Sequence, residues 1–155
     1  SQPKEERGLS LVLFDDCLDS FKSHRSYVSK FSSVIRHLQT IAIFSLQRLK
    51  GIPSGLRANT TISVIYYIPS SKEYKQIEEF HSFFGGEKNF REHYETATNI
   101  KYGCLVCDFR NLSLYAHGAN RSSPELLWRK YGDDGQKWTP PNADTINNEK
   151  IKISN

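Results

Sequence analysis

The sequence predicts a single compact α/β domain with a small, mostly parallel sheet flanked by helices and a long basic helix near the N-terminus. Three observations lead to this fold class. The length of 155 residues suits one domain, and 37% hydrophobic residues with 12% aromatic residues are enough for a core. Short apolar runs, typical of buried strands, alternate with segments of helical periodicity. Basic residues are concentrated in the first helical segment.

The domain boundaries follow from composition. We predict a flexible lead over 1–8, the α/β domain over 9–132 and a loosely held polar tail over 133–155, where turn-forming residues dominate.

The first elements are a strand, a helix and an ambiguous segment. "LSLVLF" (9–14) is an apolar run that predicts a buried strand, or the start of the helix that follows it. A helix over 16–39 is indicated by apolar residues at helical spacing: Leu18, Phe21, Val28, Phe31, Ile35 and Leu38. The segment 40–50 is compatible with strand or helix, and its β-branched residues favour a strand.

The middle of the chain contains the clearest strand. Two glycines and a proline predict a loop over 51–60. "TISVIYYI" (61–68) is β-branched and aromatic, as in a strand that is covered on both faces. A helix over 72–84 follows, with Ser70 or Ser71 as its N-cap and a Gly-Gly pair at its end.

The last part of the domain continues the alternation. Residues 87–99 fit a short helix or a loop, 102–109 a second buried strand, and 112–118 a strand beside it. Pro124 at a helix N1 position predicts a short helix in "PELLWRKYG". A right-handed βαβ crossover would join 61–68 to 102–109 in parallel.

The charge distribution is the strongest functional signal. The formal net charge is +4, but 20–72 contains no acidic residue and carries +8, against −3 for 1–19 and −1 for 73–155. Such clustering is typical of a protein with an anionic partner. The alternative is a solvated face that forms salt bridges with glutamates of 73–95. The predicted partner-binding residues are Lys22, Arg25, Lys30, Arg36, Arg48, Lys50 and Arg57.

No motif predicts catalysis, a metal or a cofactor. Asp15, Asp16 and Asp19 follow an apolar run, where magnesium ligands are found in some enzymes, but their spacing favours acids that complement a helix N-terminus. "CLVC" would place Cys104 and Cys107 on opposite faces of a strand, so we interpret them as buried thiols rather than a metal or redox pair. We therefore expect a protein that is not an enzyme and binds no cofactor.

The cellular setting is predicted from composition as well. Three cysteines form no disulfide framework and fit a reducing compartment, and no apolar run is long enough to cross a membrane. We expect an intracellular, nuclear protein without membrane association.

The segment 61–128 resembles a BRCT repeat. "TISVIYYIPSSKEYKQIEEFHSFFGG" followed by "TNIKYGCLVCDF" is similar to the strand, the helix ending in Gly-Gly and the Thr-initiated strand of that family, and Trp128 stands near the family's late tryptophan. The resemblance implies phosphate contacts at Ser70 and Ser71, although the family has a glycine where Ser71 stands. It also implies a phosphopeptide-binding scaffold.

These observations predict a non-catalytic protein–protein interaction module that docks an acidic or phosphorylated partner segment on its basic face. The alternative is a nucleic-acid-binding domain that uses the same face for phosphates. Aromatic residues could then stack on bases: Tyr66, Tyr67, Phe90, Tyr94, Tyr102 and Tyr115.

Overall fold

The computed structural model describes most of the chain between positions 9 and 132, namely residues 9–16, 30–31, 34–38, 40–50 and 52–132. The chain divides into two compact units: unit 1 is Ser1–Thr61 with Ile68–Ile77, and unit 2 is Ile62–Tyr67 with Glu78–Asn155. The predicted lead 1–8 and tail 133–155 lie outside the described residues, and the single domain over 9–132 stays a prediction.

The described residues have mixed α and β content, as predicted. Their strands and α-helices are β1 (Ser10–Asp15), β2 (Thr40–Ser45), α1 (Ser54–Asn59), β3 (Ile62–Tyr66), α2 (Ser71–Phe80), α3 (Glu87–Thr98), β4 (Cys104–Asp108), β5 (Ser113–His117) and β6 (Glu125–Arg129). The first two strands form a parallel pair, and the other four form an antiparallel sheet in the order β3-β4-β5-β6.

Unit 1 contains the parallel pair. β1 and β2 align in register from Ser10 opposite Thr40 to Asp15 opposite Ser45, which confirms a strand in both segments. Parallel neighbours need a long connection, and the chain between them supplies it. The loop predicted for 51–60 contains the short helix α1, whose Leu56 is buried.

The long basic helix over 16–39 is not found among the described residues. Asp16 has a left-handed φ of 45° and donates its N–H to Ser45 O at 3.1 Å, so it extends the pairing of β1 instead of starting a helix. At the other end, Lys30, Phe31 and Val34 have helical backbone and Ile35–His37 form a 3-10 turn before β2, so the described helical residues lie only near the end of the predicted span. Residues 17–29 lie outside the described residues.

Unit 2 contains the antiparallel sheet, and one face of the sheet forms its core. Cross-strand pairs such as Leu105 with Ala116 and Cys107 with Leu114 place buried side chains on that face. Helix α3 packs on β4 and β5 and buries Phe90, Tyr94 and Ala97, which recur at helical spacing. Around them lie further buried or half-buried aromatic side chains: Phe80, His81, Phe84, Phe109 and Trp128.

The prediction of a mostly parallel sheet is wrong, because β3 and β4 are antiparallel neighbours. One helix between two strands returns the chain to the starting end of the sheet and gives a parallel neighbour. Here two helices, α2 and α3, separate the strands, and β4 runs back along β3, with Ile62 opposite Asp108 and Tyr66 opposite Cys104. The sequence leaves 87–99 open between helix and loop, so the number of helices between the two strands is not predicted.

The predicted C-terminal helix in "PELLWRKYG" is also wrong, because Glu125–Arg129 form β6. This strand pairs with β5, with Trp128 opposite Leu114 and a register shift between Leu114 and Tyr115. The indole of Trp128 packs edge-on against Phe84 with ring centroids 6.3 Å apart. Pairing and burial therefore override the local helix signal of Pro124.

The helix predicted over 72–84 is confirmed as α2, although it ends at Phe80. Of the two predicted N-cap candidates, Ser70 is the cap, because the N–H of Glu73 donates to Ser70 Oγ at 3.4 Å. Turns then lead to Gly85 and Gly86, whose φ values of 89° and 92° are accessible to glycine at little cost. Gly86 is also the N-cap residue of α3.

Candidate docking surfaces

One face of the β1–β2 pair is apolar and exposed. Because side chains alternate along a strand, odd-numbered residues of both strands share this face. Its members retain 50–73% of their accessible surface: Leu9, Leu11, Leu13, Ile41 and Ile43. We call these five residues the unit 1 apolar face. Side chains of this size are individually common on surfaces, but five adjacent ones form the kind of patch that marks an interaction site.

The opposite face of the same strands is packed. Phe14 and Phe44 stack with ring centroids 4.7 Å apart and an interplanar angle of 5°. Phe44 also packs against a small cluster that contains Ile52 and the Leu56 side chain of α1. The strand pair therefore has one covered face and one exposed face. The sequence predicts a buried strand over 9–14, so the exposed face was not expected.

Four of the predicted partner-binding cations lie exposed in unit 1. Arg48 and Lys50 belong to the segment that follows β2, and Arg57 lies in the last turn of α1. Lys30 is exposed as well. Only the backbone of Arg36 is described, and Lys22 and Arg25 lie outside the described residues. The structure therefore shows that part of the predicted set, namely the four exposed cations, belongs to unit 1.

The alternative that glutamates of 73–95 neutralise these cations receives no support from the described ion pairs. Arg91 binds Glu78 with Nη2 to Oε1 at 2.7 Å, and Lys88 lies 4.0 Å from Glu92. Both pairs lie within unit 2. Glu78 and Glu92 thus contact basic residues of their own unit.

The aspartates after β1 do not form a helix N-terminus. Asp15 is the last residue of the strand and Asp16 follows it in the left-handed region, both with exposed side chains. Asp19 lies outside the described residues. In the part of the chain that the structure covers, no three His, Cys, Asp or Glu side chains group as a metal site would require.

The two serines predicted to contact phosphate differ in their surroundings. Ser70 is half-buried, and its hydroxyl accepts the capping hydrogen bond from Glu73. Ser71 is the first residue of α2 and is exposed. The phosphate contact itself stays a prediction, but at Ser70 it would compete with the cap.

The two described cysteines are buried on opposite faces of β4, as predicted. Cys107 pairs with Leu114 on the core face, whereas Cys104 is directly opposite His117 on the other face. Burial raises the pKa of Cys104 and raises the pKa of Cys107 much further. Both thiols are therefore protonated near neutral pH and are poor nucleophiles. Sequence reasoning missed the Cys104–His117 neighbourhood because it depends on the register of two strands.

Several tyrosines of unit 2 are exposed. Tyr66, Tyr67 and Tyr102 retain 60–71% of their accessible surface, and Lys101 Nζ lies 5.1 Å from the ring centroid of Tyr102. By contrast, Phe90 and Tyr94 are buried in the core, so they are not accessible for stacking on bases.

Comparison with known proteins gives no match for this chain among family models, curated proteins or solved structures at a significant level. The BRCT resemblance therefore stays a prediction. None of the described helices has the length and apolar character needed to cross a membrane.

Proposed function

We propose that this chain is a non-catalytic protein–protein interaction module, part of a larger nuclear assembly, in which unit 1 docks an acidic partner segment. The observation that carries the proposal is the unit 1 apolar face, which is exposed in the unit that also presents Arg48, Lys50 and Arg57.

The apolar face supplies the affinity in this proposal. Covering five exposed aliphatic side chains removes apolar surface from water, and each fully buried side chain of this kind contributes about 1.5–3 kcal/mol. Part of that gain is offset by the ordering of the partner, so a docked segment would bind with moderate affinity.

The cations determine which charge on the partner is preferred. An acidic or phosphorylated segment is attracted to the cations of the acid-free segment 20–72, whereas the exposed Asp15 and Asp16 limit the docked acids to the part of unit 1 away from the end of β1. Apolar side chains at alternate positions, separated by acids, would match a face built from alternate strand residues.

Peptide binding tests this proposal. The probe is a short fluorescein-labelled peptide in which Leu and Glu alternate, and its binding is followed by fluorescence anisotropy with the whole chain. We expect saturable binding that weakens with salt, and at least about tenfold weaker binding by the Arg48→Glu/Lys50→Glu variant. A second peptide with phosphoserine in place of Glu tests whether phosphate is preferred.

Matched controls separate charge from fold. Lys101→Glu/Lys130→Glu changes the same charge at exposed sites of unit 2 and should leave binding unchanged. Leu13→Glu places an acid within the apolar face and should weaken binding of the Leu–Glu peptide. Equal binding of a peptide in which Leu and Lys alternate, or full binding after charge reversal in unit 1, would contradict the proposal.

Nucleic acid is the second candidate ligand, and the exposed Tyr66, Tyr67 and Tyr102 favour it. These tyrosines belong to unit 2, however, whereas the eight basic residues of the acid-free segment 20–72 belong to unit 1. Labelled single-stranded and double-stranded oligonucleotides therefore form a further arm of the same experiment. Binding that falls steeply with salt and is lost in Arg48→Glu/Lys50→Glu would replace the peptide proposal with this one.

A further inference from the structure

The two outer strands of the unit 2 sheet differ in how their edges are protected. β3 and β6 are the end strands of the four-stranded sheet, and each has one hydrogen-bonded strand neighbour among the described residues. An end strand presents unpaired backbone N–H and C=O groups, which can pair with another chain unless the strand carries features that prevent it.

β6 carries several such features. Glu125 and Arg129 are within the strand, Lys130 follows it, and Pro124 precedes it. Its pairing with β5 includes a register shift, which disturbs the regular edge. Charges, proline and irregular pairing are the features by which edges of natural sheets avoid further strands.

β3 carries none of them. Residues 61–71 contain no charged side chain and no glycine, and the first proline, Pro69, lies beyond the strand. Ile62, Val64 and Tyr66 are on one face of the sheet and retain 52–60% of their accessible surface. The strand is thus β-branched and aromatic, uncharged, and exposed on the face that carries Ile62, Val64 and Tyr66, whereas Ile65 on the other face is buried.

We propose that β3 pairs with β3 of a second copy of this chain, in antiparallel orientation around a two-fold axis at Val64. This pairing would place Ile62 opposite Tyr66 of the second copy and Val64 opposite its own counterpart. Pairs of aromatic with β-branched residues are among the favourable cross-strand combinations. The two four-stranded sheets would become one continuous sheet.

Charge favours a second copy as the occupant. An uncharged strand meets its own copy without like charges opposite each other, which would destabilise the pair. An acidic or basic partner strand would gain no electrostatic attraction from residues 61–71. This inference rests on β3 alone and is independent of the ligand proposed for unit 1.

Sedimentation velocity of the whole chain, from micromolar to submillimolar concentration, tests the proposal. We expect a concentration-dependent dimer for the wild type and a monomer for Val64→Lys, because two lysines would then face each other across the two-fold axis. Leu38→Lys is the matched control, since it adds the same charge to an exposed aliphatic site of unit 1 outside the apolar face, and it should still dimerise. A wild type that is monomeric throughout, or a dimer that is lost only in Leu38→Lys, would overturn the proposal.

Cysteine cross-linking tests the register without depending on the strength of association. In a Cys17→Ser background, Val64→Cys should form a covalent dimer with oxidised glutathione, because directly opposite residues in antiparallel strands are within disulfide range. Ile62→Cys alone should not cross-link, since it faces Tyr66 of the second copy, whereas Ile62→Cys/Tyr66→Cys should. Cross-linking of Ile62→Cys alone, or none from Val64→Cys, would contradict pairing centred on Val64.

Discussion

The two units of this chain differ in how far their apolar side chains are buried. Unit 2 covers one face of a four-stranded sheet with helical segments, so that Phe84, Phe90, Leu105 and Leu114 are fully buried. Unit 1 has a two-stranded sheet, and among the described residues only one of its faces is packed against other side chains. The five residues of the unit 1 apolar face are exposed. A two-stranded sheet is marginally stable on its own. We therefore expect unit 2 to contribute most of the folding free energy.

The largest expected effect comes from removing a ring from the core of unit 2. Phe90→Ala should lower the free energy of unfolding by about 3–5 kcal/mol, because it loses buried surface and leaves a cavity. Urea denaturation followed by circular dichroism measures this loss. Leu13→Ala, at an exposed site of unit 1, should change it by less than about 0.5 kcal/mol. Equal losses in the two variants would contradict the contrast between the units.

A pair of glycines sharpens the same comparison. A Cβ at Gly103 in unit 2 would overlap the carbonyl oxygen of Ala97 and lie 2.8 Å from Ile100, so Gly103→Ala should destabilise by about 1–3 kcal/mol. A Cβ at Gly55 in α1 would meet nothing within 4 Å. Gly55→Ala should therefore stabilise unit 1 by up to about 1 kcal/mol, since alanine is the better helix former. Thermal denaturation of both variants checks the opposite signs.

Part of this organisation was predictable from the sequence, because it depends on local patterns. The strands at "TISVIYYI" and "CLVCDF", the helix over 71–80 and its Ser70 cap follow from side-chain type and spacing within a few residues. The parallel direction assigned to β4 and the helix assigned to 125–129 failed, because both depend on which distant segment lies alongside. Pairing of Trp128 with Leu114 is not encoded in the residues around Trp128.

The candidate surfaces show the same limit. Exposure of Arg48, Lys50 and Arg57 was predictable from their charge. Exposure of Leu11 and Leu13 was not, since an apolar run predicts burial unless the number of layers covering the strand is known. The position of β3 at the end of the sheet could not be predicted for the same reason: its composition is that of a central strand, and only the strand order among the described residues places it at the end.

A smaller effect is expected from the ion pair between Arg91 and Glu78 in unit 2. Glu78 is buried and Arg91 is about half-exposed, so Arg91→Ala leaves a buried carboxylate without its bonds at 2.7 Å and 2.8 Å. We expect a loss of about 1–3 kcal/mol in the free energy of unfolding. Lys88→Ala removes the exposed pair with Glu92 and should cost less than about 0.5 kcal/mol. If both variants lost the same amount, burial of Glu78 would not matter to stability.

The smallest effect should be a pH dependence of the free energy of unfolding, caused by Asp108 at the β4–β5 turn of unit 2. Burial raises the pKa of Asp108, but hydrogen bonds from Asn111 and Arg110 and the charge of Arg110 outweigh it, so the pKa is lowered overall. Oδ1 accepts the backbone N–H of Arg110 at 2.9 Å and of Asn111 at 3.1 Å, and Oδ2 accepts the side-chain amide of Asn111 at 2.7 Å. All three bonds favour the carboxylate over the carboxylic acid.

The sign of this dependence follows from the lowered pKa. The stabilisation is fully present above the ordinary aspartate pKa of 3.8 and is lost as the pH falls through the lower pKa of the folded state. Asp108→Asn cannot ionise, so the difference in unfolding free energy between wild type and variant should shrink as the pH is lowered from 7 into this acidic range. Urea denaturation at a series of pH values measures the difference. A difference that stays constant or grows on acidification would show that the stability of the turn does not depend on the charge of Asp108.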